Sequence, residues 1–403
     1  MLRPDTLALT ALLALLTSLG PVSTDMYLPS LPDIGRLLRA PPGEVQLTLS
    51  AYLVGFAIGQ IFYGPLSDRY GRKPVLIISL GVYCLGSIVC ALAPNIEMLI
   101  ASRVLQAVGA CGAVVVARAV VRDLYSGPRA GRELSLMGAI MALAPVVAPL
   151  IGSAMQTAFG WRANFLLAGG VGLLAAALTW RQLPETLRER VAGAISVRSI
   201  VDDFRIIARH RGFLAHLLIV SSTYSGLFAW ISGSPFVLQD LYGLTPFEFG
   251  AAFTVCGVGF LIGTAFAARL VTRIGLSRTI GWGTLITAIG GSAMAAFAFT
   301  PFPVVILVLS MMIYLAGMGL AMPQAMAGAL TPFPHHAGAA SSLLGLVQQT
   351  CAAAVGIFVG QMLGQSAWPL AIPIAAAGCL ALLIWAVSRG ARDRTAHQPR
   401  VRS

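Results

Sequence analysis

Asp25 is the acidic side chain that the sequence places most clearly inside an apolar stretch, in a chain with 15 Asp and Glu residues. An ionised carboxylate at the centre of a bilayer costs roughly 2.5–3.5 kcal/mol, so such a group normally faces a cavity or a partner. A carboxylate shielded from water also binds protons more readily than an exposed one. Asp25 is therefore a candidate proton- or substrate-coupling residue, with a static ion pair or an interfacial position as the alternative.

Arg103 is the partner that the sequence offers to Asp25. At about 1.5 Å per helical residue, Asp25 lies about 20 residues into the first apolar stretch and Arg103 about five residues into the fourth, which runs the opposite way. Both side chains then reach the outer third of a bilayer. Because arginine keeps its charge, Arg103 can bias Asp25 towards ionisation or bind an anionic or carbonyl group. Snorkelling to the outer headgroups is the alternative for Arg103.

Apolar stretches of about 20 residues must position these two side chains. The chain has 403 residues, of which 57% are hydrophobic, and its mean hydropathy is +0.82. Strand-like alternation is absent, so we predict an all-α membrane protein with twelve transmembrane helices. The first span is too long for a secretory leader, and we expect it to be retained. The predicted spans are about 6–28, 46–66, 74–93, 98–121, 134–156, 163–181, 213–238, 247–269, 277–299, 302–326, 337–361 and 369–388.

The chain has a net charge of +12, and its Lys and Arg residues are concentrated in the connections on one side of the predicted membrane. Three of the 27 Lys and Arg residues (Arg36, Arg39 and Arg162) lie in the connections on the other side, and Arg103 and Arg118 lie inside span four. The other 22 lie at the termini or in the connections of the opposite side. This bias predicts that both termini are cytoplasmic. A nucleic-acid surface is disfavoured, because the charges are spread over six segments.

The polar connection 183–212 divides the chain into two halves of six spans each. We predict a first six-helix bundle at 1–182, a cytoplasmic linker at 183–212, a second six-helix bundle at 213–390 and a cytoplasmic tail at 391–403. Within the linker, residues 198–211 are expected to form an amphipathic surface helix.

The halves also read as a parallel repeat, a plan found in transporters. A shift of 204 residues lays Gly71 on Gly275 and Arg69 on Arg273, whereas Asp68 falls on Thr272. The six cysteines lie in apolar spans without a Cys-x-x-Cys pair, which favours packing over a disulfide or a metal site. We expect no metal and no cofactor.

The charged stretch Gly64–Lys73 joins spans two and three, and its two glycines permit a tight reversal. Asp68 would approach the positive end of span eleven near Ala337. This arrangement predicts a cytoplasmic gate; topology alone explains the three cations but not Asp68. The residues assigned to the gate are Gly64, Asp68, Arg69, Gly71, Arg72 and Lys73, with Asp123 and Glu133 as further acidic partners.

Several motifs resemble those of the major facilitator superfamily, over essentially the whole chain. Residues 64–76 resemble its loop signature, and residues 103–110 resemble the fourth-helix signature of its drug:proton antiporters. Residues 144–152 resemble the fifth-helix antiporter motif, although Ala148 and Ser153 stand where glycines are usual. Residues 23–29 (Ser-Thr-Asp-Met-Tyr-Leu-Pro) are similar to the first-helix signature of the bicyclomycin/chloramphenicol (Bcr/CflA) subfamily.

The resemblance implies proton-coupled efflux of small lipophilic drugs across the bacterial inner membrane by a monomer. It assigns Pro145, Pro149 and Gly152 to an antiporter-specific helix shape, with ordinary membrane-helix packing as the alternative. An apolar pocket with few polar groups suits such substrates. The residues expected to line it are Tyr27, Gln106, Tyr224, Phe228, Phe236 and Gln348.

Two other functions stay open at this point. A physiological metabolite or amino-acid exporter would use the same residues. A membrane enzyme or sensor would need a catalytic constellation or a soluble domain, and the sequence offers neither. We therefore expect a transporter rather than an enzyme.

Overall fold

The computed structural model describes residues 6–125, 127–187, 197–297, 303–333, 336–364 and 366–390. Within these ranges the regular elements are helical, which confirms the all-α prediction. The predicted tail 391–403 lies outside the described residues. The helices are α1 Leu7–Asp25, α2 Leu31–Leu38, α3 Pro42–Tyr70, α4 Arg72–Leu92, α5 Ile96–Leu124, α6 Gly127–Phe159, α7 Trp161–Gln182, α8 Val197–Ala208, α9 Arg211–Phe236, α10 Pro246–Ile274, α11 Leu276–Phe297, α12 Val304–Leu330, α13 Ala337–Met362 and α14 Trp368–Val387.

Eleven of the described helical segments are long and apolar enough to cross a membrane. The first of them, Leu7–Leu38, combines α1, a 3₁₀ turn at Leu28–Ser30, and α2. A further apolar stretch, Leu143–Phe159, lies within α6 at the place of the fifth predicted span. Each predicted span thus corresponds to a helix, and most of the helices extend a few residues beyond the apolar core that predicted them.

By their internal contacts, the residues form two compact units. Unit 1 comprises Met1–Ile195 and Leu238–Thr254, and unit 2 comprises Ser196–Val237 and Val255–Ser403. The segment Leu238–Thr254 belongs to the second half of the sequence but packs within unit 1. There the Thr254 hydroxyl donates to the Val146 carbonyl of α6 at 2.7 Å. Unit 1 thus includes a segment of the chain that follows the predicted linker.

Helix α1 ends at Asp25, a few residues before the predicted end of the first span. Pro29 has no N–H to donate to the Asp25 carbonyl, and its ring clashes with the helical position of that carbonyl. The chain continues through the 3₁₀ turn Leu28–Ser30 into α2, which the sequence did not predict. The break leaves Asp25 at a helix end rather than in the middle of a span.

The stretch Gly64–Lys73 contains less of a loop than expected. Residues up to Tyr70 continue α3, so Gly64 is helical and makes no turn, which corrects its predicted role in the reversal. Gly71 alone reverses the chain, with φ 102° and ψ 152°, a conformation essentially confined to glycine. Gly275 also has a positive φ, of 84°, between α10 and α11. Both glycines of the repeat thus separate two long helices.

The linker contains α8, close to the amphipathic helix predicted at 198–211. Its Ile207 is fully buried in a cluster that includes Phe213 and Leu344, so this helix end is anchored in unit 2. Asp203 of α8 lies 3.3 Å from Nδ1 of His336, which precedes α13. The linker helix is therefore docked on α9 and α13.

Candidate functional site

Asp25 is almost completely buried at the break in the first membrane segment, with 3% of its surface exposed. The hydroxyl of the neighbouring Thr24 lies 2.9 Å from Asp25 Oδ1 and can donate to it. The ion pairs of the described residues do not include Asp25. The carboxyl group is thus shielded from water and held by a neutral neighbour.

The described hydrogen bonds and ion pairs do not join Arg103 to Asp25, so the ion pair that their similar depth suggested is not among them. Instead the guanidinium carbon lies 4.4 Å from the ring centre of Tyr27 and 4.3 Å from that of Tyr52. The ring of Phe165 is 5.7 Å away. Desolvated cation–π contacts are worth about 2 kcal/mol or more. Aromatic faces from three elements therefore stabilise the buried charge where a carboxylate would be expected.

Neutral hydrogen-bond acceptors complete the surroundings of Arg103, whose side chain is fully buried. Its Nη1 donates to the Ser23 carbonyl at 3.0 Å and to Gln106 Oε1 at 2.5 Å, and its Nε donates to the Thr48 carbonyl at 3.4 Å. Its Nη2 is buried without a hydrogen-bond acceptor. Gln106 in turn donates to the Ser87 hydroxyl at 2.8 Å. Arg103 thus ties α1, α3 and α5 together, and Gln106 extends the network to α4.

Sequence reasoning missed three polar contributors to this region: Thr24, Tyr52 and Tyr83. Tyr83 Oη lies 2.8 Å from Ser23 Oγ, and Tyr52 donates to the Gly20 carbonyl at 3.3 Å. The only sequence signal for Thr24 was its position next to Asp25, directly after another hydroxyl residue, Ser23. The tyrosines carry no local signal, because their partners lie in other helices.

A second charged group, the hairpin cluster, surrounds Arg72 at the start of α4. Arg72 pairs with Asp68 at 2.5 Å and, through Nε, with Asp123 Oδ2 at 2.8 Å. Its Nη1 also donates to the Ser67 hydroxyl at 2.6 Å. The structure therefore brings together three of the predicted gate residues, and an arginine with two carboxylate partners joins α3, α4 and α5.

Glu185, which the sequence did not single out, caps the start of α4. Its carboxylate accepts the backbone N–H of Arg72 at 2.9 Å and that of Lys73 at 3.2 Å, where a helix N-terminus favours an anion. A side chain at Gly71 would meet Glu185 Oε2 at 2.6 Å. The sequence shows an acidic residue just after α7, but it does not show that this residue bonds Arg72, which lies 113 positions earlier.

The remaining predicted gate residues have other contacts. The Lys73 ammonium donates to the Trp180 carbonyl at 2.8 Å, and Arg69 stacks over Tyr70 at 5.3 Å. Glu133 accepts a hydrogen bond from the Thr10 hydroxyl at 2.7 Å. The approach of Asp68 to the start of span eleven stays a prediction.

Helix α6 contains Pro145 and Pro149, and at Gly152 it approaches the backbone directly after α1 very closely. A Cβ at Gly152 would lie 1.6 Å from the Met26 carbonyl oxygen, so only glycine fits. Beside this contact, the two helices border an open apolar groove of about 220 Å³. Its walls include Ser18 and Val22 of α1, Met26 directly after that helix, and Leu143, Val147 and Ile151 of α6.

Most of the side chains expected to line a substrate pocket are buried. Tyr27 and Phe228 are 1% exposed, and Gln106 is fully buried in the Arg103 network. Phe236 and Gln348 are also buried, whereas Tyr224 is partly exposed. Their contact with a substrate stays a prediction.

Comparison with known proteins adds to these features. Residues 13–349 and 228–402 match the family model described as Major Facilitator Superfamily. An uncharacterized MFS-type transporter of Bacillus subtilis is 35% identical over 88% of this chain and 89% of its own length. A chloramphenicol resistance protein of Pseudomonas aeruginosa is 30% identical over 95% and 91%. A bicyclomycin resistance protein homolog of Haemophilus influenzae is 29% identical over 93% and 94%.

Solved structures show the same fold at low sequence identity. A D-xylose-proton symporter superposes with a TM-score of 0.78 at 17% identity, covering 94% of this chain and 96% of that one. The likeness concerns the helix arrangement alone.

Proposed function

The chain belongs to the Major Facilitator Superfamily, and we propose that it exports small lipophilic drugs across the bacterial inner membrane in exchange for protons. The bicyclomycin- and chloramphenicol-resistance relatives support drug efflux at the level of the family. Several apolar helices long enough to cross a membrane support a multi-pass transporter. In our proposal the protein acts as a monomer with both termini in the cytoplasm.

The observation that carries proton coupling is the buried Asp25 carboxyl group, which has no cationic partner among the residues that the structure describes. An isolated carboxylate in a membrane interior is costly, so the neutral, proton-bound form suits this conformation. When the site opens to water, hydration lowers the free-energy cost of the ionised carboxylate, and the proton can leave. Asp25 thus has the surroundings that a single exchangeable proton requires.

Arg103 has a supporting part in this proposal. A guanidinium keeps its charge, so it cannot carry the proton itself. Through the Ser23 carbonyl it holds the last turn of α1, on which Asp25 lies. Its positive field can also favour the ionised form of Asp25 without a direct contact.

The substrate class is proposed from the walls of the groove between α1 and α6. The groove is lined almost entirely by aliphatic side chains and lies beside the turn of α1 that carries Asp25. Apolar sites with few polar groups select uncharged or amphiphilic compounds. Chloramphenicol and bicyclomycin are therefore the first compounds to test.

The test is Asp25→Asn in everted membrane vesicles that have been energised to acidify their interior. Addition of chloramphenicol or bicyclomycin should release protons from wild-type vesicles, as followed with a pH-sensitive dye, and labelled drug should accumulate inside. The variant should insert normally but lose both signals. Glu44→Gln, which removes an exposed carboxylate at the start of α3, serves as the control.

Two outcomes would contradict the proposal. Normal drug-driven proton release by Asp25→Asn would exclude Asp25 as the coupling group. Proton release with amino acids or other metabolites, and none with the drugs, would replace drug efflux by export of a physiological compound.

A further inference from the structure

The hydroxyl group of Thr24 lies within hydrogen-bonding distance of two acceptors. Its Oγ1 is 2.9 Å from Asp25 Oδ1 and also 2.9 Å from the carbonyl oxygen of Pro21. A threonine hydroxyl has one proton to donate and two lone pairs that can accept. At any moment Thr24 can therefore donate to only one of these two oxygens.

The protonation state of Asp25 decides between the two arrangements. If Asp25 is ionised, its oxygens can only accept, so the Thr24 hydroxyl must donate to the carboxylate. If Asp25 carries its proton, that proton can be donated to Thr24 Oγ1, and the Thr24 hydroxyl is then free to donate to Pro21. The carbonyl of Pro21 can accept this bond, because a carbonyl oxygen has two lone pairs.

The other polar groups near Asp25 are engaged elsewhere. The Ser23 hydroxyl lies 2.6 Å from the Leu19 carbonyl and 2.8 Å from Tyr83 Oη. The guanidinium of Arg103 bonds the Ser23 carbonyl rather than the Asp25 side chain. Among the described contacts, Thr24 is therefore the side chain that can respond to the charge of Asp25.

We propose that Thr24 is a positioning residue that stabilises both protonation states of Asp25 by rotating its O–H between the carboxyl group and the Pro21 carbonyl. This inference rests on the proposed proton coupling at Asp25. When a proton arrives, the new carboxyl O–H donates to Thr24 Oγ1 and the threonine proton turns to Pro21. When the proton leaves to water, the rotation reverses. Thr24 itself neither gains nor loses a proton.

The test compares Thr24→Val and Thr24→Ala with the conservative variant Thr24→Ser. The control is Thr17→Val, since the buried Thr17 hydroxyl in the same helix bonds the Leu13 and Ala14 carbonyls. The readout is the pH dependence of chloramphenicol-driven proton release by the purified protein in detergent, with drug binding measured separately.

Loss of the hydroxyl should leave the ionised carboxylate without its donor, so release should require a higher pH. We expect the acid limb of the profile to move up by about one pH unit in Thr24→Val, because the carboxylate loses a charge-assisted hydrogen bond whereas the protonated group loses only a weaker neutral one. Thr24→Ser should restore the wild-type midpoint, and Thr17→Val should not move it. If Thr24→Val fails to insert, Thr24→Ala gives the same comparison.

Asp25→Asn separates failure of this inference from failure of the proposed function. If Asp25→Asn abolishes proton release while Thr24→Val and Thr24→Ala keep the wild-type profile, the hydroxyl switch is wrong and the coupling role of Asp25 stands. If Asp25→Asn still releases protons normally, both proposals fail. A shift of equal size in Thr17→Val would also overturn the switch, because a backbone-bonded hydroxyl would then have the same effect.

Discussion

Gly152→Ala should disrupt unit 1 at the contact between α6 and the break in the first membrane segment. The new methyl carbon would start 1.6 Å from the Met26 carbonyl oxygen, whereas an ordinary contact begins at 3.4 Å. The helices would have to separate by roughly 1.8 Å, and the obstacle is backbone rather than a flexible side chain. Because Met26 follows Asp25 directly, the separation would also displace the carboxyl group.

The expected loss of stability follows from the cost of overpacking, about 1–3 kcal/mol or more. For a domain of this size, that corresponds to a fall in thermal midpoint of about 2–12 °C. The assay is heating of the detergent-solubilised protein followed by size-exclusion chromatography, with drug-driven proton release in vesicles as the functional readout. Proton release should fall together with the midpoint.

The matched control is Gly170→Ala in α7, where a Cβ would meet nothing within 4 Å. That change should be neutral or stabilise the helix by up to about 1 kcal/mol, because alanine is the better helix former. If Gly152→Ala kept the wild-type midpoint and full transport, the close approach of α6 to Met26 would be refuted.

Three further changes test the charged sites. Arg103→Lys should lower the thermal midpoint, because a lysine keeps the charge but not the planar group that stacks between aromatic rings and bonds several acceptors. Asp68→Asn should slow drug efflux in vesicles while equilibrium drug binding stays measurable, since Arg72 loses one of its two carboxylates. Gly71→Ala should cost about 1–3 kcal/mol for its backbone conformation alone, and the contact with Glu185 should lower the thermal midpoint further.

Each of these changes has a control elsewhere in the chain. Gly275→Ala shares the positive φ but has open space around the new methyl group, so an equal loss of stability would contradict the contribution of the carboxylate contact. Arg162→Lys alters an exposed guanidinium that stacks on one ring, Trp161, and donates to the Ala93 carbonyl, so it should lower the midpoint much less than Arg103→Lys. Asp202→Asn removes an exposed carboxylate of α8 and should leave efflux at the wild-type rate.

The order of the long apolar helices could be predicted from the sequence, because lipid demands about 20 apolar residues for each crossing. The ends could not be predicted as well, because polar residues at a membrane surface continue a helix without adding to its apolar signal. Helix α3 illustrates this limit: its predicted span stops near 66, but the helix extends through Asp68 and Arg69 to Tyr70. The reversal then takes place at Gly71 alone, whereas the prediction had assigned it to the ten residues Gly64–Lys73.

The candidate site was predictable in its members but not in their contacts. Depth in a membrane follows from counting residues along a helix, and it placed Asp25 and Arg103 at the same level. The direction in which each side chain points depends on helix packing, which a single sequence does not contain. The aromatic rings around Arg103 come from segments separated from it by more than 50 residues, so the sequence near Arg103 could not predict these contacts.

The separation of Asp25 from Arg103 has a functional logic that an ion pair would lack. A direct pair would hold the carboxylate ionised and oppose proton binding. Arg103 has a permanent charge, and aromatic faces and carbonyl dipoles stabilise it without removing a proton acceptor. Asp25 is left with a hydroxyl that can serve either charge state. In our proposal, unit 1 therefore contains an ionic cluster around Arg72 at one site and, at another, a carboxyl group that changes its charge during transport.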